Sequence, residues 1–341
     1  MSPAARRGAK GGALALVPPP DPERLREASA LAERAPQPAR WHNVLCATAG
    51  WADRGLIQSG TFYPAEATTP EARLGYYARH FPLVEVDATY YALLAQDVVA
   101  RWVAWTPEHF RFDVKAHPVF TQHPIDVGKL PADLRDEIER AGKGARVYAE
   151  RLPAEIRGEI EQRFLGSLEP LLASDRLGAV LLQFPPWFGA TRGNARHLEQ
   201  LVDRFPGVPF AVEFRNKSWL LPERHARVFD LLKRLGLSYV GVDEPAGKVG
   251  GLPPITEVTN PRLAVVRFHG QNSEGWNKKA ASVIERFNYL YRPAELEGWV
   301  GRVKQLAGEA ESVHAVFNNC VRNYAVLNAK DLAVLLEGEQ R

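Results

Sequence analysis

Apolar and charged positions alternate with a period of two in several short runs of this chain, and each such run predicts a strand with one hydrocarbon face and one charged face. In Val208 to Phe214 the run is almost wholly apolar until Glu213, and Arg215 follows directly. Ala211, Glu213 and Arg215 share one face, and Phe210, Val212 and Phe214 share the other. Leu83 to Asp87, Arg111 to Lys115, Ala264 to His269 and Val313 to Asn318 repeat the arrangement. Tyr239 to Asp243 ends in an acid, Gly178 to Phe184 carries Gln183 in an apolar run, and Val44 to Thr48 is a plain strand, which makes eight.

Between these runs, apolar residues recur at three- and four-residue spacing. Helices are predicted over Arg73 to His80, Gln96 to Thr106, Ala154 to Ala173, Arg196 to Asp203, Pro222 to Leu235, Pro293 to Leu306 and Ala329 to Leu336. Strands alternating with helices imply a parallel sheet, and eight units imply an α/β protein of the closed (β/α)8 TIM-type barrel class. An open doubly wound sheet is the alternative. A charged strand face suits a lumen better than a sheet covered by helices on both sides.

Composition sets limits on this picture. The chain has 341 residues, 45% hydrophobic and 24% charged, which fits one large globular domain. Residues 1–40, rich in Ala, Pro, Gly and Arg and interrupted by Pro18-Pro19-Pro20, read as a disordered arm, and residues 41–341 as the barrel domain. An extra helix over Leu130 to Ala141 lies in an insertion spanning about 118–150. No apolar run approaches the roughly 18 residues of a membrane span, and Ala13 to Val17 is shorter than the core of an export signal, so a cytoplasmic protein without a membrane partner is expected.

The net charge of +3 resides in the arm, with seven Lys or Arg against four Asp or Glu; the body holds 36 of each sign. A neutral body disfavours nucleic acid as a partner, because non-specific affinity for it comes mostly from phosphate neutralisation. Only Cys46 and Cys320 are present, which excludes a disulfide framework and a multi-cysteine zinc site. They are expected as neighbouring buried thiols.

In a barrel of this type functional groups gather at the carboxyl ends of the strands, where Asp87, Lys115, Gln183, Glu213, Arg215, Asp243, Arg267, His269 and Asn318 all fall. One pleat deeper, Glu85, Arg111, Asp113 and His314 read as a paired structural layer. Glu213 is the candidate acid or base, with Lys115 as charge stabiliser or second proton donor, His269 as proton shuttle and Asp243 as a further catalytic carboxylate. Arg215 and Arg267 are candidates for bidentate capture of a carboxylate or phosphate, and Asp87, Tyr90, Gln183, Asn318, Trp219 and Trp51 complete the candidate substrate site. Tyr63, Tyr91, Trp187, Phe188, Trp276, Tyr289 and Tyr291 add to an aromatic group able to stack on a sugar or base.

No cofactor is expected. Glu213, Asp243, His269 and Asn318 come from four successive strands in the manner of a divalent cation site, but the cationic Lys115, Arg215 and Arg267 argue against a metal there.

Gly50-Trp51, Thr61-Phe62-Tyr63-Pro64, Tyr76-Tyr77, Val84 to Tyr91, Arg111 to Lys115, Leu182 to Pro186, Ala211 to Arg215 with Ser218-Trp219, Arg267 to Gly270, Tyr289-Leu290-Tyr291 and Phe317-Asn318-Asn319 resemble, in this order, the YecE-like family, domain of unknown function 72. The resemblance implies a TIM-type barrel with loose kinship to sugar isomerases, and no established reaction. Asn216-Lys217 stands where many members carry His-Pro, which removes any role for a histidine there.

Three functions of different class follow. The first is a metal-independent enzyme doing acid/base chemistry, such as isomerisation, elimination or hydrolysis, on a small anionic or sugar-like substrate. The others are a metal-dependent nuclease or phosphoesterase, disfavoured by the neutral body and the few histidines, and a non-catalytic binder of a metabolite or nucleotide. Oligomeric state is not legible in the sequence.

Overall fold

The computed structural model describes residues 20–140, 142, 144–245, 251–278 and 282–338. All eight expected strands form: β1 (Val44–Thr48), β2 (Leu83–Val86), β3 (Arg111–Lys115), β4 (Leu177–Gln183), β5 (Phe210–Glu213), β6 (Ser238–Asp243), β7 (Ala264–Phe268) and β8 (Val313–Phe317). They join in the order β1-β8-β7-β6-β5-β4-β3-β2, every neighbouring pair parallel, with the two-residue strand Arg40–Trp41 antiparallel on the outer edge of β1. The molecule is thus an α/β protein built on a strongly curled, mostly parallel sheet.

Among the described residues the ladder is open between β1 and β2. The Tyr77 hydroxyl bridges the seam instead, accepting from the Thr48 N–H at 3.0 Å and donating to the Leu83 carbonyl at 3.2 Å. That Glu85 on β2 touches Arg267 on β7, and Asp113 on β3 touches His314 on β8, shows how far the sheet curls, since these strands are far apart in its order.

Residues opposite each other in a parallel ladder share a face, so the registers fix which side chains point inward. Glu85 opposes Asp113, Lys115 opposes Leu181, Gln183 opposes Glu213, Arg267 opposes Val242, and His314 opposes Leu45. Ala47, Ala49, Leu83 and Val316 form a small apolar cluster apart from the main core. The other face carries Phe112, Val114, Val180, Leu182, Phe210, Val212, Phe268 and Phe317, and packs on the surrounding helices as the main core.

Those helices cover the predicted positions: Pro70–His80, Gln96–Ala104, Ala154–Ser167 with Glu169–Ala173, Arg192–Arg204, His225–Leu235, Pro293–Glu309 and Tyr324–Glu337. Thr69 and Thr191 cap two of them through their hydroxyls. The expected insertion helix is Ala132–Arg140, and a short antiparallel pair, Ile125–Asp126 with Arg146–Val147, closes the base of the insertion.

The segment expected to be disordered is helical over Pro22–Ala32, a correction for that part of the arm. Asp21 caps its first turn, Pro22 supplies the fixed φ of a helix start, and Ala28 and Ala32 are buried beside Leu290, Tyr324 and Leu327. Composition misled here because a short apolar stripe was hidden among charged residues and needed a partner helix to become visible. Residues 1–19 of the expected arm lie outside the described residues.

Between Phe112 and Asp113 the β3–β4 register slips, leaving Gly178 as the extra residue of a bulge. A Cβ at Gly178 would stand 2.5 Å from Asp113 Oδ1 and 2.8 Å from His314 Cε1. Gly178→Ala is therefore expected to cost about 1–3 kcal/mol by overpacking. Urea denaturation of the two proteins measures it, and an unchanged midpoint would show that the Asp113–His314 pair yields freely.

Candidate active site

The inner face of the curled sheet holds three tiers of polar residues. In the lowest, His314 Nδ1 meets both oxygens of Asp113, the shorter contact being 2.9 Å, and both residues are buried. Arg111, expected in this layer, instead reaches the exposed Asp175 at the amino ends of the strands.

In the middle tier Arg267 is wholly buried between two carboxylates. Its Nε and Nη2 hold Glu85 as a fork, and its Nη1 donates to Glu213 Oε2. Burial alone would lower this guanidinium, but Glu85 and Glu213 more than reverse that and raise it above its ordinary value. Burial pushes the Glu85 carboxyl up to about 7 against the pull of Arg267. Arg267, expected to capture a substrate anion, is thus committed to the protein's own acids.

Glu213 is the hub between the middle and upper tiers. Its Oε1 receives Gln183 Nε2 at 2.8 Å, Arg215 Nη1 at 3.1 Å and His269 Nε2 at 3.2 Å. Burial works to raise this carboxyl, yet Arg267, His269 and Arg215 overcome it and hold it well below the usual carboxylate range. A carboxylate so fully bonded and inaccessible is a poor proton acceptor and a good anchor.

His269 is buried, and burial pushes it down to about 4, so it is neutral. Asn318 Nδ2 lies 3.1 Å from its Nδ1, which leaves Nε2 carrying the proton toward Glu213. Gly270 follows at φ +89°, with Tyr289 Cβ 2.7 Å from where a Cβ would stand, so only glycine makes this turn.

The upper tier meets solvent. Lys115 Nζ lies 3.4 Å from Asp87 Oδ1 and 5.1 Å from the Tyr90 ring centre; the two charged side chains are 12% and 34% exposed. Arg215, 16% exposed, pairs with Glu213 and with Glu244 at 2.6 Å, and its guanidinium sits over the Trp276 ring. The Trp276 indole N–H is buried and unpartnered among the described residues. In the loop after β1, burial and then the neighbouring Asp87 charge push Asp53 up to about 7.

Asp243 does not join this group. It opposes Phe268, on the outer face, where it accepts from Gln271 and from the Tyr291 hydroxyl while Gly270 N–H donates to that hydroxyl. Glu244 points inward in its place and is the acid that sequence reasoning missed. Val240, Val242 and Glu244 share one phase, and the register of Val242 against Arg267 turns that phase inward.

Trp219 is also structural. It is buried, donates from its indole to the Phe188 carbonyl at 2.7 Å and stacks on Phe214. Trp51 packs edge-on against Trp102. Cys46 and Cys320 are free thiols, both raised by burial and so unreactive. Because Asp243 faces away, the four-residue cation set is not assembled, and among the described residues no three His, Cys, Asp or Glu side chains converge as metal ligands.

A curled, mostly parallel sheet with charged side chains at the carboxyl ends of its strands places the chain in the α/β class. It belongs to the family described as protein of unknown function DUF72, whose model matches residues 45–341. It is 33% identical over 293 residues to UPF0759 protein YunF of Bacillus subtilis strain 168, which spans 85% of this chain and 93% of that one. Crystal structures of DUF72 proteins from Enterococcus faecalis V583 and Thermotoga maritima MSB8 superpose with TM-scores of 0.71 and 0.67, each at 29% identity. Both alignments cover 87% of this chain, and they cover 97% and 100% of those proteins. Among the described residues no helix is long and apolar enough to cross a membrane.

Proposed function

We propose that the protein is an enzyme doing acid/base chemistry, without a required metal, on a small anionic, sugar-like substrate at the mouth of a closed (β/α)8 barrel. One observation carries the reading: the charges of the two lower tiers satisfy one another out of solvent, whereas Lys115, Asp87 and Arg215 reach it at one end of the lumen. Tyr90 and Trp276 behind the two cations keep them desolvated on one side, which strengthens their hold on an anion.

In this reading Arg215 and Lys115 bind the anionic group. The Asp87–Lys115 pair moves the proton, because Asp87 is reachable, and Asp53, pushed up to about 7 by burial and then by the Asp87 charge, is the neighbouring acid that can share it. Glu213 holds Arg215, Gln183 and His269 in place, a positioning role rather than the proton transfer expected from sequence. The two unpaired thiols suit a reducing cytoplasm.

Thermal-shift measurements with organic acids and sugar phosphates test the proposal. A true ligand at about 100 times its dissociation constant stabilises by about 2.7 kcal/mol. Wild type should show that shift with at least one anion and Arg215→Ala should lose it. Equal shifts in both proteins, or none with any anion, would sink the assignment.

A further inference from the structure

The side-chain acceptors at this mouth point to what lies beyond the anionic group. Gln183 and Asn318 commit their amide nitrogens to Glu213 and His269, which leaves Gln183 Oε1 and Asn318 Oδ1 without a partner among the described residues. Asp87 Oδ1 is likewise buried with no hydrogen-bond donor, although the Lys115 charge lies 3.4 Å away. Three strand ends therefore present acceptors that a ligand's donors can meet, the Asp87 oxygen buried and the two amide oxygens on partly exposed residues. A ligand with several hydroxyl groups supplies them, and a nucleobase, with one or two N–H groups, does not.

A second observation lies on the rim. Among the described residues only Tyr91, Trp187 and Leu172 are exposed large hydrophobics, and the two aromatic ones, 58% and 57% exposed, belong to one row of rings. Tyr91 meets Tyr90 at 5.1 Å, Tyr90 meets His123 at 5.5 Å, and His123 meets Trp187 at 5.8 Å, all edge to face. His123 comes from the 118–150 insertion, so the insertion completes the row. His123 is pushed down to about 4 by burial and then by the Lys115 charge, so its ring is neutral and acts as a spacer. Lys115 sits against Tyr90, the ring between Tyr91 and His123, which ties the aromatic wall to the anion-binding cation.

We propose that this rim is a sugar subsite: the substrate is a sugar carrying one phosphate or carboxylate group, the anion between Lys115 and Arg215, the hydroxyls on Asp87, Gln183 and Asn318, and the C–H face of the ring on Trp187 and Tyr91. The inference rests on the mouth reading above and adds the substrate class and its specificity residues. Trp187 and Tyr91 touch none of the charged network, so their removal separates the two ideas.

Isothermal titration with inorganic phosphate, acetate, adenosine monophosphate and a panel of hexose 6-phosphates, pentose 5-phosphates and hexuronates tests it, on wild type, Trp187→Ala/Tyr91→Ala and Arg215→Ala. At least one sugar phosphate or hexuronate should bind at least about tenfold more tightly than the matching bare anion, since two ring contacts are worth about that much. The aromatic double variant should lose that advantage and keep its affinity for the bare anion. Whether the phosphate or the carboxylate series binds identifies the charged group.

If the bare anion binds in an Arg215-dependent way but no sugar improves on it, or the double variant keeps the advantage, the sugar subsite is wrong and the anion site stands. Tighter binding of adenosine monophosphate than of every sugar would replace the sugar with a base and overturn the proposal. Binding of nothing would overturn both.

Discussion

Arg267→Leu is expected to lower stability by about 3–5 kcal/mol, the cost of breaking a buried ion pair from one side. Arg267 is fully buried, and Glu85 has no other hydrogen-bond partner among the described residues. Without the guanidinium, Glu85 would have to take up a proton in a setting where burial already pushes it to about 7. Glu213 would fare better, because Gln183, Arg215 and His269 remain to it. Guanidinium denaturation should show the loss, and adding Glu85→Leu to Arg267→Leu should recover a substantial part of it. A loss below about 1 kcal/mol would place the pair with ordinary surface contacts and contradict the arrangement.

Asp331→Asn is expected to stabilise the protein at neutral pH and to remove a pH dependence. Asp331 lies on the helix Tyr324–Glu337 with no exposure, its Oδ2 accepting from Asn328 Nδ2 at 3.2 Å and its Oδ1 unpartnered. Burial pushes its carboxyl up to about 8, above the ordinary 3.8. Between those values the unfolded chain has released the proton while the folded protein retains it, so the unfolded state binds fewer protons. Stability from this group therefore falls as pH rises from about 4 to about 8 and is level above that. The asparagine variant should match wild type near pH 4 and exceed it near pH 8 by on the order of 2–4 kcal/mol. Parallel denaturation curves at both pH values check this, and an equal difference at the two would show that Asp331 is not the titrating group.

The eight strands and their helices were legible because each carries its own pattern, read over a few residues. The charged lumen was legible for the same reason, since Glu85, Asp113, Glu213, Arg267 and His269 alternate with apolar neighbours that need hydrocarbon. The errors arose where one more fact was needed. Asp243 and Glu244 are adjacent acids at a strand end, and only the register against Arg267 shows which faces inward. Trp219 and Trp187 both follow strands, and only packing buries the first against Phe214 and exposes the second.

The sequence alone determined that charge would line one face of a parallel sheet, because burial of apolar faces leaves the alternate positions no other place. The tertiary structure decided which charges satisfy one another and which meet solvent. Pairing depends on chords across the lumen, between residues as distant along the chain as Glu85 and Arg267 or Asp113 and His314, and no local pattern encodes a distance through space. For that reason Glu213 and Arg267, which read in the sequence as an acid/base and an anion-capturing group, are the internal frame, and Lys115, Asp87 and Arg215 are the charged groups that meet solvent.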